Sequence, residues 1–317
     1  MKTSLRKYLA FFIAAITMFS LGCSSDISGA ADSKEPLHSD VPTDTTENTG
    51  PTDTEPADIE PADTEAVKPD PPKGDYKKMV FTSEFEKHTF TASNGEELPY
   101  CLYVPKDYSE DYAYPMLTFF HGAGRRSNEN GEQVTEAVQG LYMPKGTPIY
   151  DAIAVFPLCD PDSMWVDVHY TISRYSIEEV KISRNMQAVV ELLDFLMEKY
   201  SINPNRQYVI GFSMGGYGTW DIIMRYPDRF AAAAPFCGGG DPSVAASLVD
   251  IPLWVNHDST DDIVDVSGSR DMVNAIKEAG GELVIYNETD WRGHNVWDYA
   301  YGSAEFQEWL FSQVKKS

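Results

Sequence analysis

The segment Tyr208–Trp220, YVIGFSMGGYGTW, sets Ser213 between Gly211 and Gly215, after one apolar run and before another. A serine hydroxyl is a weak nucleophile until a base takes its proton. An imidazole base in turn needs a carboxylate to fix its tautomer and stabilise the imidazolium. The chain holds six histidines. His38 lies in a polar leader, His88 precedes the main apolar runs, and His169 sits in an aromatic loop with no strand end beside it. His294, in DWRGHNVWDYAY, follows the last strand-like run and precedes the last helical pattern, which makes it the candidate base. Between the two, PLWVNHDSTDDIVDV crowds Asp258, Asp261, Asp262 and Asp265 just after a strand-like run. Spacing leaves the choice among these four open. The competing readings are a glycine-rich turn without chemistry at Ser213 and a surface histidine beside Trp291 and Trp297 at His294.

Those side chains do chemistry together only if the surrounding elements deliver them to one place. After a polar hairpin signal at SNGEE, Leu98–Val104 reads as a strand, and PMLTFF and DAIAVF are short runs apolar throughout. QYVIGF, FAAAAPF, PLWVN and ELVIYN follow. Strands apolar on both faces belong to a covered, mostly parallel sheet. Between them the spacing predicts helices, most clearly over Ile177–Tyr200, where Ile182, Met186, Val189, Leu193 and Leu196 recur at helical intervals. Asn203-Pro204 ends that helix, and DVSGSRDMVNAIKEAGG ends on Gly280 and Gly281. The alternation predicts an α/β fold, a mostly parallel sheet with helices on both faces. Ser213 then occupies a strand-turn-helix elbow whose strained backbone lifts the hydroxyl above the sheet's C-terminal edge. Gly211 and Gly215 avoid a collision across that turn, and Gly216 and Gly218 let the next helix lie close to the sheet.

The front of the chain is of another kind. Lys2, Arg6 and Lys7 precede YLAFFIAAITMFSLGC, the charge-then-apolar order of a signal peptide over residues 1–22. Tyr8–Leu21 is short for a membrane span, which needs about 20 residues. SLGC resembles a bacterial lipobox, with Ser20 where such sequences usually place leucine and Leu21 one residue later. That resemblance implies a lipid on Cys23, a membrane link through this anchor alone, and a place at the cell surface or the outer face of a membrane. Residues 23–75 are rich in Thr, Pro, Asp and Glu, lack aromatics and read as a disordered tether. Its fourteen acids against three lysines leave a net charge of −11, and the body over residues 76–317 carries −16. So acidic a body repels phosphate backbones, and no nucleic-acid partner is expected. No pair of cysteines has C-x-x-C spacing, so no metal or redox motif is expected. Cys101, Cys159 and Cys237 are an odd set, and the sequence assigns no disulfide among them.

HGAG, NRQYVIGFSMGGYGTW, YPDRFAAAAPFCGGGDP and GHNVWDYAY carry a resemblance that runs from about Pro99 to the C-terminus. Together they resemble the α/β-hydrolase superfamily. Within it they are similar to the secreted esterase branch of feruloyl and acetylxylan esterases, polyhydroxybutyrate depolymerase-like proteins and prolyl-oligopeptidase-like hydrolases. The resemblance implies a catalytic domain over residues 76–317 with Ser213 as nucleophile and His294 as base, in the chain order Ser, Asp, His. Relatives read HGxxDxxV at the acid turn, which implies Asp261 as the acid; Asp258 stands where they have glycine and is the second candidate. An oxyanion hole is implied at the N–H groups of Met214 and Ala123, with Gly122 close by. Trp165 resembles an aromatic residue near the acyl or sugar site, with a plain packing role as the alternative, and with Trp291, Trp297 and Tyr299 it predicts a site lined with flat rings. The expected substrate is an ester of plant cell-wall polysaccharide, with no cofactor and no lid beyond a small one from Arg125–Thr147. A serine peptidase and a non-catalytic surface binding protein are the alternatives.

Overall fold

The computed structural model describes residues 68–71, 85–134 and 151–316. The expected signal peptide, Cys23, most of the expected tether and residues 135–147 of the expected lid lie outside them. The chain divides into a unit of Met1–Ala62 and a unit of Asp63–Ser317, and the second holds the whole sheet.

Eight strands form that sheet: β1 (Glu86–Thr91), β2 (Glu97–Tyr103), β3 (Tyr114–Phe120), β4 (Ile153–Pro157), β5 (Ile202–Phe212), β6 (Ala232–Phe236), β7 (Leu253–Asp258) and β8 (Val284–Thr289). They lie in the order β1-β2-β4-β3-β5-β6-β7-β8. The hairpin β1–β2 and the pair β2–β4 are antiparallel, and every other pairing is parallel. Strands β3, β4, β6 and β7 are buried along their whole length, which is why they read as continuous apolar runs rather than alternations. The period-2 alternation survives in which core each residue joins. Met116, Val209, Ala233 and Val255 pack on one side of the sheet, while Leu117, Ile210, Ala234 and Trp254 pack on the other.

Three helices cover the first side: α1 (Arg184–Lys199), α2 (Met214–Arg225) and α3 (Ser267–Glu278). Two shorter ones, α4 (Trp297–Tyr301) and α5 (Ala304–Ser312), cover the second. The expected α/β architecture is present. The stripe Met186, Val189, Leu193 and Leu196 is fully buried, as its spacing requires.

Helix α1 starts seven residues later than the spacing predicts, at Arg184 rather than Ile177. Ser183 caps it, accepting from the Met186 N–H at 3.0 Å, and the backbone before it is satisfied elsewhere. The Ile177 N–H donates to Asp241, and the Val180 carbonyl accepts from Arg225. The connection between β4 and α1 therefore spans residues 158–183. The tether boundary also shifts. The Pro69 carbonyl accepts from the Ala113 N–H at 3.0 Å, and Asp70 pairs with Arg206 at 2.7 Å, so Lys68–Pro71 dock on the body instead of belonging to a free linker. Cys101, Cys159 and Cys237 are buried free thiols.

The Ser183 hydroxyl donates at 2.7 Å to the buried Trp165 carbonyl while accepting the α1 cap bond. Ser183→Ala is expected to lower stability by about 1–3 kcal/mol, the cost of a lost cap plus a buried acceptor left without its donor. Urea unfolding followed by far-UV circular dichroism measures it.

Candidate active site

Strand β5 runs into Ser213 and leaves it as α2. At the turn Ser213 has φ 56° and ψ −125°, a conformation that a residue with a side chain holds only when its surroundings enforce it. The Ser213 N–H donates to the Phe236 carbonyl at the end of β6 at 2.9 Å. The first turn of α2 rests on the end of β3, where a Cβ on Gly215 would overlap the Phe120 carbonyl. Gly216 meets the Phe236 carbonyl at the end of β6, as the sequence implies, but Gly218 faces Trp165 in the β4–α1 connection rather than the sheet.

Asp261 follows β7, and His294 lies on the β8–α4 connection just after Gly293, whose φ is +57°. All three side chains meet at the C-terminal edge of the parallel strands, where open α/β sheets place their sites. His294 Nε2 is 2.9 Å from Ser213 Oγ, and His294 Nδ1 is 2.7 Å from Asp261 Oδ2. A carboxylate only accepts, so Nδ1 carries the proton and Nε2 is free to take one from the serine. Trp297 stacks on Phe212 at 4.1 Å and meets the His294 ring edge-on at 5.6 Å, which fixes the ring's tilt.

The two carboxylates of the acid turn have separate partners. Asp261 Oδ1 accepts the N–H groups of Ile263 and Val264 at 2.9 Å each, leaving Oδ2 for the imidazole. Burial works to raise this carboxyl, but the hydrogen bonds from His257, His294 and those amides outweigh it and hold it well below the usual carboxylate range. Asp258 does not reach His294 through either oxygen. Its Oδ1 accepts from the Thr260 N–H and hydroxyl, and its Oδ2 accepts from the Thr289 hydroxyl and from the N–H groups of Trp291 and Arg292 at 3.0 and 2.9 Å. Burial again pulls upward, and those donors again win. Asp258 thus ties the acid turn to the segment that delivers His294. The spacing left the two carboxylates in competition; their partners divide them.

The HGAG loop leaves β3 beside the elbow, since Phe120 pairs with Gly211 in the neighbouring strand. A Cβ on Gly122 would come within 2.7 Å of the Phe212 ring. Ala123 and Met214 each open a helical turn, so neither N–H has an acceptor within its own turn. His121 anchors this loop. Its Nδ1 donates to the Gly122 carbonyl at 2.8 Å, and its Nε2 accepts the Cys159 N–H at 3.0 Å. Burial pushes its pKa down to about 4, so the ring stays neutral in that tautomer. Sequence reasoning passed over His121 and His257; their place in HGAG and in WVNHDST, at the tips of β3 and β7, was the available signal.

Trp165 is not a wall of an open site. It is fully buried, donates from Nε1 to the His121 carbonyl at 3.0 Å and packs on Phe120. The expectation of substrate contact there is corrected to support of the HGAG loop. Trp291 is 67 % exposed, with the Arg292 guanidinium 4.3 Å from its ring centre, and the side chain of Tyr299 lies outside the described residues. The β4–α1 connection walls α2: the Tyr217 hydroxyl lies 3.0 and 2.8 Å from the Tyr170 and Ile172 carbonyl oxygens, and Tyr175 donates to the buried Asp221. Cys237, Asp261 and His294 each bring one ligand-type atom within 4.8 Å of the others. Asp261 and His294 are engaged with each other in the hydrogen-bond chain, and burial pushes the Cys237 thiol far up, away from the thiolate that binds metals.

Both acid-turn carboxyls have folded-state values below their unfolded ones, so the unfolded chain binds protons more readily. Their contribution to stability is whole above about pH 5 and drains away as the pH falls through about 4, the unfolded value, toward the lower folded values. Asp258→Asn is expected to be less stable at pH 7 and to show a flatter loss between pH 5 and 3 than the wild type, read as urea midpoints across that range.

The family model described as "Putative esterase" matches residues 91–282. The crystal structure of a thermostable esterase is 37 % identical, with a TM-score of 0.67, over 74 % of this chain and 64 % of that chain. A bifunctional acetylxylan esterase/xylanase of Neocallimastix patriciarum is 27 % identical over 86 residues, 27 % of this chain. Poly(3-hydroxyalkanoate) depolymerase C of Paucimonas lemoignei is 40 % identical over 52 residues, 16 % of this chain. These two matches are segments, each spanning 13 % of the relative's length. With an eight-stranded, mostly parallel sheet and a family match over more than half its residues, the chain belongs to the esterase family of α/β-hydrolases.

Proposed function

We propose that the protein hydrolyses carboxylic esters through an acyl-enzyme, with Ser213 as nucleophile, His294 as general base and acid, and Asp261 as the carboxylate behind it. The reading rests above all on one observation, the continuous hydrogen-bond chain from Ser213 Oγ through the His294 ring to Asp261 Oδ2 at 2.9 and 2.7 Å. As Ser213 Oγ attacks the ester carbonyl carbon, its proton passes to His294 Nε2, and Asp261 stabilises the imidazolium. The N–H groups of Met214 and Ala123, with Gly122 allowing close approach, receive the charge that develops on the carbonyl oxygen. His294 then returns the proton to the departing alcohol oxygen, leaving an ester on Ser213. Water repeats the sequence and releases the acid.

The substrate class we propose is an ester carried on a polysaccharide, an acetyl or feruloyl substituent. Support comes from the large apolar side chains left exposed on segments around the site: Ile172 on the β4–α1 connection, Ile263 on the acid turn and Trp291 on the base segment. A flat indole with a guanidinium beside it suits a sugar face or an aromatic acyl group. The matched relative named as an acetylxylan esterase/xylanase points the same way.

Ser213→Ala is expected to lower p-nitrophenyl acetate hydrolysis by about a thousandfold or more, and a fluorophosphonate probe is expected to label Ser213 in the wild type alone. Retention of more than a few per cent of activity by that variant overturns the reading. In a panel of acetyl, butyryl and feruloyl esters, Trp291→Ala is expected to raise KM for the feruloyl and sugar-linked esters about tenfold, leaving p-nitrophenyl acetate little changed.

A further inference from the structure

Asp261 receives a second imidazole. His257, the penultimate residue of β7, is fully buried, and its Nε2 lies 3.3 Å from Asp261 Oδ2 and 3.0 Å from the Val264 carbonyl oxygen. Both of those atoms only accept, so Nε2 carries the proton. On the other side of the ring, Nδ1 is 2.8 Å from the Ser269 hydroxyl of α3, itself 3.1 Å from the Gly238 carbonyl oxygen. Ser269 is fully buried too, and its one proton reaches either Nδ1 or Gly238. The Val264 carbonyl therefore sets the proton on Nε2, and that nitrogen also lies 3.3 Å from Oδ2, the oxygen that holds His294 Nδ1.

We propose that His257 is a positioning residue for the reaction, acting through Asp261: its N–H, held by the Val264 carbonyl and 3.3 Å from Oδ2, keeps the acid turn in place and shares that oxygen's charge, so that His294 works as a weaker base than it would against Asp261 alone. The proposal rests on the esterase reading above and adds a buried member to it. A hydrogen bond donated to a carboxylate stabilises the anion and reduces what it offers to another donor. Restricted to one position, Asp261 holds the His294 ring ready for Ser213 without reorganising during the reaction.

The charged and titratable groups facing the pair are few. Asp261 stands between the rings, Asp265 of the same turn and Glu288 of β8 lie near His257, Tyr217 of α2 faces Asp261, and Glu288 is itself paired with Arg270. Toward His294 there are also Ser213 and the Cys237 thiol, which burial keeps protonated. Among these groups only His257 is a fully buried imidazole within 3.3 Å of Asp261 Oδ2.

The test is the pH profile of kcat/KM for p-nitrophenyl acetate in the wild type, His257→Leu and His257→Gln. Loss of the donor in His257→Leu is expected to move the acid limb up by about half a pH unit to one unit and to lower the plateau about tenfold. His257→Gln, which keeps an N–H at that reach, is expected to return the limb toward its wild-type position. A limb within 0.2 units of wild type (on the order of experimental error) in a folded, active His257→Leu overturns the proposal, and a lowered melting temperature alone does not support it. Should the leucine variant not fold, nitrogen NMR of wild-type histidines decides: the proposal requires the Nε2–H tautomer at His257, and Nδ1–H with a bare Nε2 refutes it. A wild type that neither hydrolyses the ester nor takes the fluorophosphonate probe fails at Ser213 and so condemns the esterase reading instead.

Discussion

The site depends on how closely helix α2 is set down on the sheet. Its first turn lies against the carbonyl ends of β3 and β6, a separation at which Gly215 admits no side-chain carbon. The contact forces the backbone at Ser213 into its positive-φ turn, and the Phe236 carbonyl fastens the Ser213 N–H there. A strained elbow of this kind persists only when packing on every side over-determines it. Phe119, Phe212 and Phe236 beneath and Trp165 and Trp220 on the helical side supply that packing. The strain places a hydroxyl where an imidazole can reach it, and it also aims the open N-terminus of α2 at the same point.

Around that fixed point, the other two groups arrive on loops, which need fastening of their own. The acid turn divides the work between neighbouring carboxylates. Asp261 spends one oxygen on backbone amides and the other on imidazole, while Asp258 spends both on Thr260, Thr289 and the Trp291 and Arg292 amides. Each carboxylate is buried and each is paid for by donors, so neither behaves as an isolated charge. The HGAG loop follows the same plan, with a neutral histidine and an indole N–H in place of carboxylates.

How much of this is legible in the chain depends on how local the cause is. Strands β3 to β7 announce themselves because both of their faces are buried, and the elbow because glycines recur at fixed offsets around a serine. The start of α1 does not, because Ile177 and Ile182 fit the apolar stripe while the groups that hold residues 177–180 out of the helix, Asp241 and Arg225, lie more than forty residues away. Trp165 misleads for a related reason. An indole on a loop after a strand looks available until the carbonyl that takes its N–H, 44 residues back along the chain, is located. Asp258 and Asp261 share one turn, and only the path of residues 289–294 assigns their partners.

Lys68–Pro71 meet the body at Ala113, Ser201 and Arg206, beside the first residues of β3 and β5. Ser213 lies at the far end of those same strands, roughly 20 Å away at about 3.3 Å per residue. Lys68–Pro71 thus meet one pole of the domain and the Ser213 hydroxyl lies at the other. The face that carries Ser213, Asp261 and His294 is therefore left clear of the Lys68–Pro71 contact.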